Sequence, residues 1–294
     1  MKIGVYGRQF NNTVIPYVQQ VFDCLVSWDV EVLIYHDFYD FLKDKLFLPK
    51  AFNAFKSHED LVNGKVDVMI SLGGDGTMLD TVALVKNSGI PTIGINFGRL
   101  GFLASINKEG IKSAIEGLVK GDFSLDTRRV LKVETSSGLF GDLNFALNDF
   151  TIMKRDTSAM ILIHCYLNGE FLNSYWADGL IIATPTGSTA YSLSCGGPIV
   201  FPQSGNFVIT PISPHNLNVR PVILSDENEL TFEIEGRSPK YLVSCDSRTE
   251  VVNPGTQLRL KRADFDINLV RLSNQTYLST LRNKLLWGID TRNY

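Results

Sequence analysis

A glycine-rich turn constrains this chain more strongly than any other feature of its sequence. Residues 66–72, Val-Asp-Val-Met-Ile-Ser-Leu, form an apolar run of strand length, and Gly73-Gly74-Asp75-Gly76 follows at once. Residues 77–85 then open a helix. Glycines in such a turn allow positive φ and let the backbone approach a ligand. The first amides of the helix would face outward, where they can bind an anion such as phosphate.

Asp75 is predicted to lie at the tip of this turn. Its carboxylate could orient a sugar hydroxyl, accept the proton of that hydroxyl, or contact a magnesium ion on a phosphate ligand. The alternative is that the glycines only make a tight turn and that Asp75 caps the helix. The P-loop motif is absent, and no Gly-x-Gly-x-x-Gly opens a helix. A P-loop enzyme and a standard Rossmann dehydrogenase are therefore disfavoured.

The sequence changes character near residue 122, which predicts two domains. Before that point, short apolar runs at 3–6, 30–35, 66–72 and 92–96 alternate with segments of helical spacing, as in an α/β sheet. After it, β-branched and aromatic runs with frequent turns favour a β-rich, sandwich-like domain. The clearest turn is Asn168-Gly169, of the type that joins the strands of a hairpin.

The last stretch of the chain returns to helical spacing. We therefore predict an α/β domain of residues 1–124 with a C-terminal helix at 274–294, and a β-rich domain of residues 125–273. A substrate site between two such domains is expected.

Charge and cysteine usage exclude several classes of function. A net charge of -3 and a pI near 5.8 give no general attraction to nucleic acid or to an anionic membrane. No signal peptide or membrane-spanning stretch is evident, so a cytoplasmic protein is expected. The four cysteines and four histidines are scattered, which favours free thiols and gives a zinc site little support.

Several motifs resemble those of the NAD kinase family, in particular its ATP-dependent bacterial type. Gly73-Gly74-Asp75-Gly76-Thr77 (GGDGT) resembles the family signature, and residues 98–103, Gly-Arg-Leu-Gly-Phe-Leu, resemble the family's Gly-x-Leu-Gly-Phe segment after the next strand. The long block at 178–198 is similar to the glycine- and hydroxyl-rich element of these enzymes. Residues 212–215 and 284–288 also fit, whereas the first sixty residues agree only in general character.

The resemblance implies transfer of the γ-phosphoryl group of ATP to the 2′-hydroxyl of the adenosine ribose of NAD, giving NADP. It implies Mg²⁺ or another divalent cation with ATP, NAD as substrate, and a homo-oligomer, commonly a tetramer. Two alternatives stay open. A lipid kinase that uses the same glycine turn would phosphorylate a lipid, and a non-catalytic NAD-binding sensor would bind NAD without turnover.

The resemblance also implies the residues of the site. Asp75 would hold and deprotonate the ribose hydroxyl, with Gly74 and Gly76 beside it. Asn148 and Asp149 stand where the family has an Asn-Glu pair that contacts adenine and ribose. The shorter Asp makes the ribose contact of position 149 less secure. The remaining predicted pocket residues are Phe102, Asp178, Thr186, Thr189, Ala190, Tyr191, Ser194 and His215.

Overall fold

The computed structural model describes residues 1–49, 51–99, 101–155, 159–273 and 275–287. Its internal contacts divide the chain into two compact units, Met1–Asp126 with Asn268–Tyr294, and Thr127–Ile267. The domain limits given above stay a prediction about independently folding parts. Leu100 and Gly288 of the predicted motifs, and residues 274 and 288–294 of the predicted C-terminal helix, lie outside the described residues.

The first unit contains a parallel sheet. Its strands are Lys2–Gly7 (β1), Glu31–Tyr35 (β2), Asn53–Phe55 (β3), Val68–Leu72 (β4), Thr92–Asn96 (β5) and Ile106–Asn107 (β6). The spatial order is β5-β4-β1-β2-β3, all parallel, with β6 added along β5. The four predicted strands are confirmed. β3 was not predicted, because three residues with one buried side chain carry almost no pattern.

Helices cover both faces of this sheet. They are Ile15–Ser27 (α1), His36–Lys43 (α2), His58–Asn63 (α3), Asp75–Val85 (α4) and Ile111–Lys120 (α5). One core joins β1 to α1 and α5, and a second core joins the opposite face to α3 and α4. This two-sided burial explains why the strands read as continuous apolar runs. The α5 helix ends at Gly121 in the left-handed conformation, which glycine adopts without strain.

The second unit is built from antiparallel strands in two sets. The first set comprises Asp149–Lys154 (β9), Gly179–Ala183 (β12), Asn206–Ile212 (β13), Val222–Ser225 (β14), Tyr241–Cys245 (β16) and Arg248–Val252 (β17), in the order β14-β13-β12-β9-β16-β17. The second set comprises Phe123–Glu134 (β7), Phe145–Ala146 (β8), Ile161–Leu167 (β10), Glu170–Ala177 (β11), Leu230–Glu235 (β15) and Leu258–Leu272 (β18). Residues 123–126 of β7 and 268–272 of β18 belong to the first unit.

One apolar core is filled from both sets of strands, as in a sandwich. Phe150 and Phe207 from the first set and Ile163 and Phe232 from the second belong to it. The predicted hairpin is confirmed: Leu167 pairs with Glu170, and Asn168 and Gly169 both have positive φ. The prediction of an α/β part followed by a β-rich, sandwich-like part is thus confirmed.

A short segment covers the outer face of β12. It contains a 3-10 turn at Gly187–Thr189 and the helix Tyr191–Ser194 (α6). Val200 packs there against Ile181 and Ala183, which explains why every residue of β12 is buried. The helix Tyr277–Leu285 (α7) ends the described chain and belongs to the first unit. Among the described residues, no helix is long and apolar enough to cross a membrane.

Candidate active site

The glycine turn leaves no room for a side chain at its first residue. Gly73 has φ +153°, its N–H donates to the Ile95 carbonyl (2.9 Å), and a Cβ there would lie 2.3 Å from Thr77 Oγ1. The helix α4 begins at Asp75, two residues earlier than its sequence suggested. Its first i→i-4 hydrogen bond runs from Met78 N–H to the Gly74 carbonyl (3.1 Å). The earlier amides therefore have no partner within the helix and are placed to bind an anion.

Asp75 does not cap the helix; its carboxylate binds a neighbouring loop instead. Oδ2 accepts the Phe102 N–H (2.8 Å), while Oδ1 accepts those of Leu103 (3.0 Å) and Ala104 (2.9 Å). A Cβ at Gly101 would lie 1.8 Å from Oδ1, so only glycine lets the loop approach this closely. Three of the roughly four acceptor positions of the carboxylate are thereby filled.

Phe102 stands on this loop, and α7 contacts its ring. The Lys284 ammonium lies 6.0 Å from the ring centroid, at the outer limit of a cation–π contact. Gln275 binds the same loop, because its side-chain amide donates to the Ser105 carbonyl (3.1 Å) and accepts the Ser105 hydroxyl (3.2 Å). In the first unit the structure thus brings together Gly74, Asp75, Gly76 and Phe102.

Asn148 and Asp149 lie in the second unit at the start of β9, and a residue that the sequence did not reveal fixes them. The Asp246 carboxylate, whose side chain is 3% exposed, accepts the N–H groups of Leu147 (2.9 Å), Asn148 (2.8 Å) and Asp149 (3.2 Å). Asp246 has φ +50° in the turn between β16 and β17, and its own N–H donates to the Asp149 carbonyl (3.0 Å). The turn composition was readable in the sequence, but its partner almost a hundred residues away was not.

The Asn148 main chain is also held from the hydroxyl-rich segment. Its carbonyl accepts the Thr184 N–H (2.9 Å), and a Cβ at Gly187 would lie 2.0 Å from the same oxygen. The Thr184 hydroxyl donates to the Leu147 carbonyl (2.5 Å). Glycine at position 187 is therefore required by a close backbone approach, and it joins the 178–198 block to the Asn148-Asp149 pair.

The predicted pocket residues between positions 186 and 194 differ in their exposure to solvent. Thr186 is 6% exposed, and its hydroxyl accepts a hydrogen bond from the Arg128 guanidinium (3.2 Å). Thr189 and Ala190 are half-buried, whereas Tyr191 and Ser194 are exposed. The exposed and half-buried residues are accessible to a ligand, whereas the buried Thr186 side chain is held by Arg128.

Asp178 directly follows β11, and His215 contacts Trp176 on that strand. The Asp178 carboxylate pairs with the Lys154 ammonium (2.5 Å). The main-chain N–H of His215 donates to the Trp176 carbonyl (2.8 Å). The rings of Trp176 and His215 lie 4.8 Å apart, centroid to centroid. Burial, Cys195 and then the carboxylates of Asp149 and Asp178 raise the pKa of the Tyr191 hydroxyl.

The comparisons with known proteins agree over the whole chain. The ATP-NAD kinase N-terminal domain matches residues 7–123, and the ATP-NAD kinase C-terminal domain matches residues 147–272. The chain belongs to the NAD kinase family. The NAD kinase of Cytophaga hutchinsonii is 50% identical over 294 residues, and that of Flavobacterium johnsoniae is 46% identical over 295, with both chains covered completely in each case.

Solved structures of NAD kinases and an NADH kinase share this fold. A yeast NADH kinase complexed with NADH superposes with a TM-score of 0.88 at 22% identity, covering 100% of this chain and 89% of that one. An NAD kinase from Archaeoglobus fulgidus in complex with ATP gives 0.75 at 25% identity, covering 97% and 99%. The predicted family, fold class and enzyme class, an ATP-dependent NAD kinase, are confirmed, and the lipid-kinase and sensor alternatives are not favoured.

The buried acid of the Asn148-Asp149 pair gives this NAD kinase a pH-dependent group. Burial, and next the Asp246 carboxylate, raise the pKa of Asp149 from 3.8 to about 7, while the Thr151 hydroxyl (3.2 Å) opposes the shift. At neutral pH this acid is therefore only partly ionised. Below about pH 7 the acid could donate a hydrogen bond, and above it the carboxylate could only accept one.

Asp149→Asn is expected to flatten the pH dependence of stability. Because the native pKa lies above the unfolded one, the contribution of Asp149 is fully present below about pH 4 and is lost as pH rises through 7. The loss is on the order of 4 kcal/mol. Asp149→Asn should therefore gain more stability relative to the parent at pH 8 than at pH 5, and least at pH 4, as measured by denaturant unfolding.

Thr151→Val keeps the titrating acid at position 149 but should raise its pKa further. It removes the hydroxyl that lowers the pKa of Asp149, so the pH at which stability falls should move upward. Equal pH profiles for the parent and Asp149→Asn would contradict this account of the pair.

Proposed function

We propose that this NAD kinase transfers the γ-phosphoryl group of ATP to the 2′-hydroxyl of the adenosine ribose of NAD, with Asp75 at the reacting centre. The 2′-oxygen forms a bond to the γ-phosphorus, the bond to the β-phosphate oxygen breaks, ADP leaves, and Asp75 takes the hydroxyl proton. The observation that carries this proposal is the Asp75 carboxylate at the start of α4, beside amides with no partner within the helix.

The role proposed for Asp75 is mainly to position the hydroxyl. Its oxygens already accept three amides, which leaves about one position for a substrate hydroxyl and fixes the direction from which that hydroxyl approaches. Most of the catalysis in phosphoryl transfer comes from alignment and charge neutralisation. The remaining proposed roles are adenine and ribose binding by Asn148 and Asp149, and lining of the NAD pockets by Phe102, Asp178, Thr186, Thr189, Ala190, Tyr191, Ser194 and His215.

We propose that Mg²⁺, or a similar divalent cation, arrives with ATP. When bound, the ion supplies charge neutralisation on the phosphates. Asp75 is the acid at the glycine turn, and its largely filled acceptor positions suit a cation that takes most of its ligands from phosphate and water. Because the one acceptor position left on Asp75 is assigned to the ribose hydroxyl, the ion would take its ligands from phosphate and water.

The assay that tests the reaction follows NADP with an NADP-specific dehydrogenase after incubation with NAD, ATP and Mg²⁺. NADP formation that depends on all three components is expected. A dinucleotide product phosphorylated at another hydroxyl would not be oxidised or reduced by that dehydrogenase and would contradict the proposed position of transfer. Turnover with a diacylglycerol or sphingoid base, and none with NAD, would favour the lipid kinase.

We also propose a homo-oligomer, most simply a homotetramer, in the cytoplasm. Strand β14 ends its sheet, and its Val222 and Ile223 are exposed, as are Leu217 (92%) and Phe201 (49%). Exposed apolar side chains beside an open strand edge are typical of an association surface. Four free cysteines support a reducing compartment.

Charge placed on that surface should break the assembly. Ile223→Lys is expected to reduce the mass measured by light scattering, because a desolvated ammonium opposes apolar association. Val251→Lys is the matched control, since Val251 is similarly exposed at 46% on β17, at the other end of the same sheet. A parent protein that is an active monomer would overturn the oligomer proposal.

A further inference from the structure

Arg8 follows the strand at which the sheet of the first unit changes direction. From β1 the chain crosses to β2 on one side, whereas from β4 it crosses to β5 on the other, so the switch point lies between β1 and β4. Ligands of such sheets bind at the carboxyl ends of the strands at this point. Gly7 pairs with Leu72, which places Arg8 across from Gly73, the first residue of the glycine turn.

The direction of the Arg8 side chain is fixed by its neighbours. A Cβ at Gly7 would lie 2.5 Å from the Phe38 ring, so the chain passes that ring without a side chain. The Arg8 guanidinium then pairs with the Asp80 carboxylate on α4. The Tyr6 hydroxyl donates to the same Asp80 oxygen (3.3 Å). The guanidinium is therefore anchored against α4, yet its side chain remains 57% exposed.

The space next to this ion pair is open. Asp80 stands four residues after Gly76, so the two are neighbours on one face of α4, about one turn apart. An added Cβ at Gly76 would meet no atom within 4 Å. The Asp80 pair uses the Nε and Nη2 side of the guanidinium. Because a guanidinium carries five N–H donors, those that do not bind Asp80 remain available to an anion in the open space next to Gly76.

We propose that Arg8 binds the terminal phosphates of the phosphoryl donor, with Asp80 and Tyr6 as positioning residues that hold the guanidinium at the glycine turn. The proposal rests on the donor lying at this turn, as proposed above. A planar guanidinium suits phosphate oxygens because it offers paired, parallel donors. The ligand class is a nucleoside triphosphate, and the diphosphate of NAD is the competing occupant.

Arg8→Gln tests this role in steady-state kinetics with ATP and NAD varied separately. The KM for ATP should rise about ten- to a hundredfold, as expected for the loss of one charge-assisted contact, while the KM for NAD should stay within about twofold. Arg8→Lys should restore only part of the affinity, because an ammonium lacks the paired donors. Arg262→Gln is the matched control, since Arg262 also forms an Arg–Asp pair, with Asp266 on β18.

Loss of the Arg8 charge leaves Asp80 without its partner, so the double variant Arg8→Gln/Asp80→Asn is measured as well. It should show the same raised KM for ATP with normal thermal unfolding. Calorimetric titration with ATP in the absence of NAD should show the same weakening. If the parent forms NADP and Arg8→Gln leaves the KM for ATP unchanged, the role of Arg8 is overturned while the proposed reaction stands. An equal rise in the KM for NAD would also overturn the role of Arg8. A parent that forms no NADP would instead overturn the proposed reaction.

Discussion

Replacing Asp75 with asparagine should lower kcat for NADP formation on the order of 10³-fold and change the KM for NAD much less. The variant loses the acceptor that positions the ribose hydroxyl. It also disturbs the loop, because both carboxylate oxygens accept amides and an asparagine must turn its NH₂ group toward one of those donors. Steady-state kinetics with purified protein provide the measurement.

Gly101→Ala separates these two effects of Asp75→Asn. Its methyl group would lie 1.8 Å from the Asp75 carboxylate, so the loop must move while the acid remains. If Asp75 contacts the reacting hydroxyl, Asp75→Asn should be at least tenfold slower than Gly101→Ala. Equal losses in the two variants would show that Asp75 acts only by holding the loop.

Asp246→Ala should destabilise the second unit by about 3–5 kcal/mol and weaken NAD binding at least tenfold. The change leaves three amides without their acceptor and removes the nearby carboxylate from Arg248 (3.8 Å). Asn148 and Asp149, whose amides are two of the three, would lose their fixed position. Thermal unfolding and calorimetric titration with NAD measure the two effects.

Asp226→Ala is the control for Asp246→Ala. Asp226 is equally buried, but it pairs with the Arg129 guanidinium (2.5 Å) and not with the amides of the Asn148-Asp149 pair. It should lower stability while NAD affinity stays within about twofold of the parent. Equal losses of NAD affinity in the two variants would mean that Asp246 has no specific part in holding the pair.

The sequence predicted those parts of the fold that depend on neighbours along the chain. The strand–turn–helix at Gly73 and the hairpin at Asn168-Gly169 both follow from local backbone preferences. Short elements such as α2, α3 and β3 were missed, because a few residues carry too little periodicity. The motif at GGDGT, together with the block at 178–198, was enough to predict the family.

The sequence did not reveal which partners the site residues have. Asp75 was expected to cap its helix or to face a ligand, and the structure gives it three amides from a loop 27–29 residues further on. Asp246 had no motif, yet it fixes the Asn148-Asp149 pair from almost a hundred residues away. Arg8 lies in a part of the chain with no family motif, and only the pairing of β1 with β4 brings it to the glycine turn.

By itself, therefore, the sequence determined the chemical types present at the site, the turn that presents Asp75, and the family. The tertiary structure decided which backbone amides and which cations each carboxylate binds. The physical reason is that glycine turns and amphipathic periods are encoded within a few residues. The accepting partner of a buried acid is instead set by strand pairing and by close approaches, such as those at Gly101 and Gly187, between segments far apart in the chain.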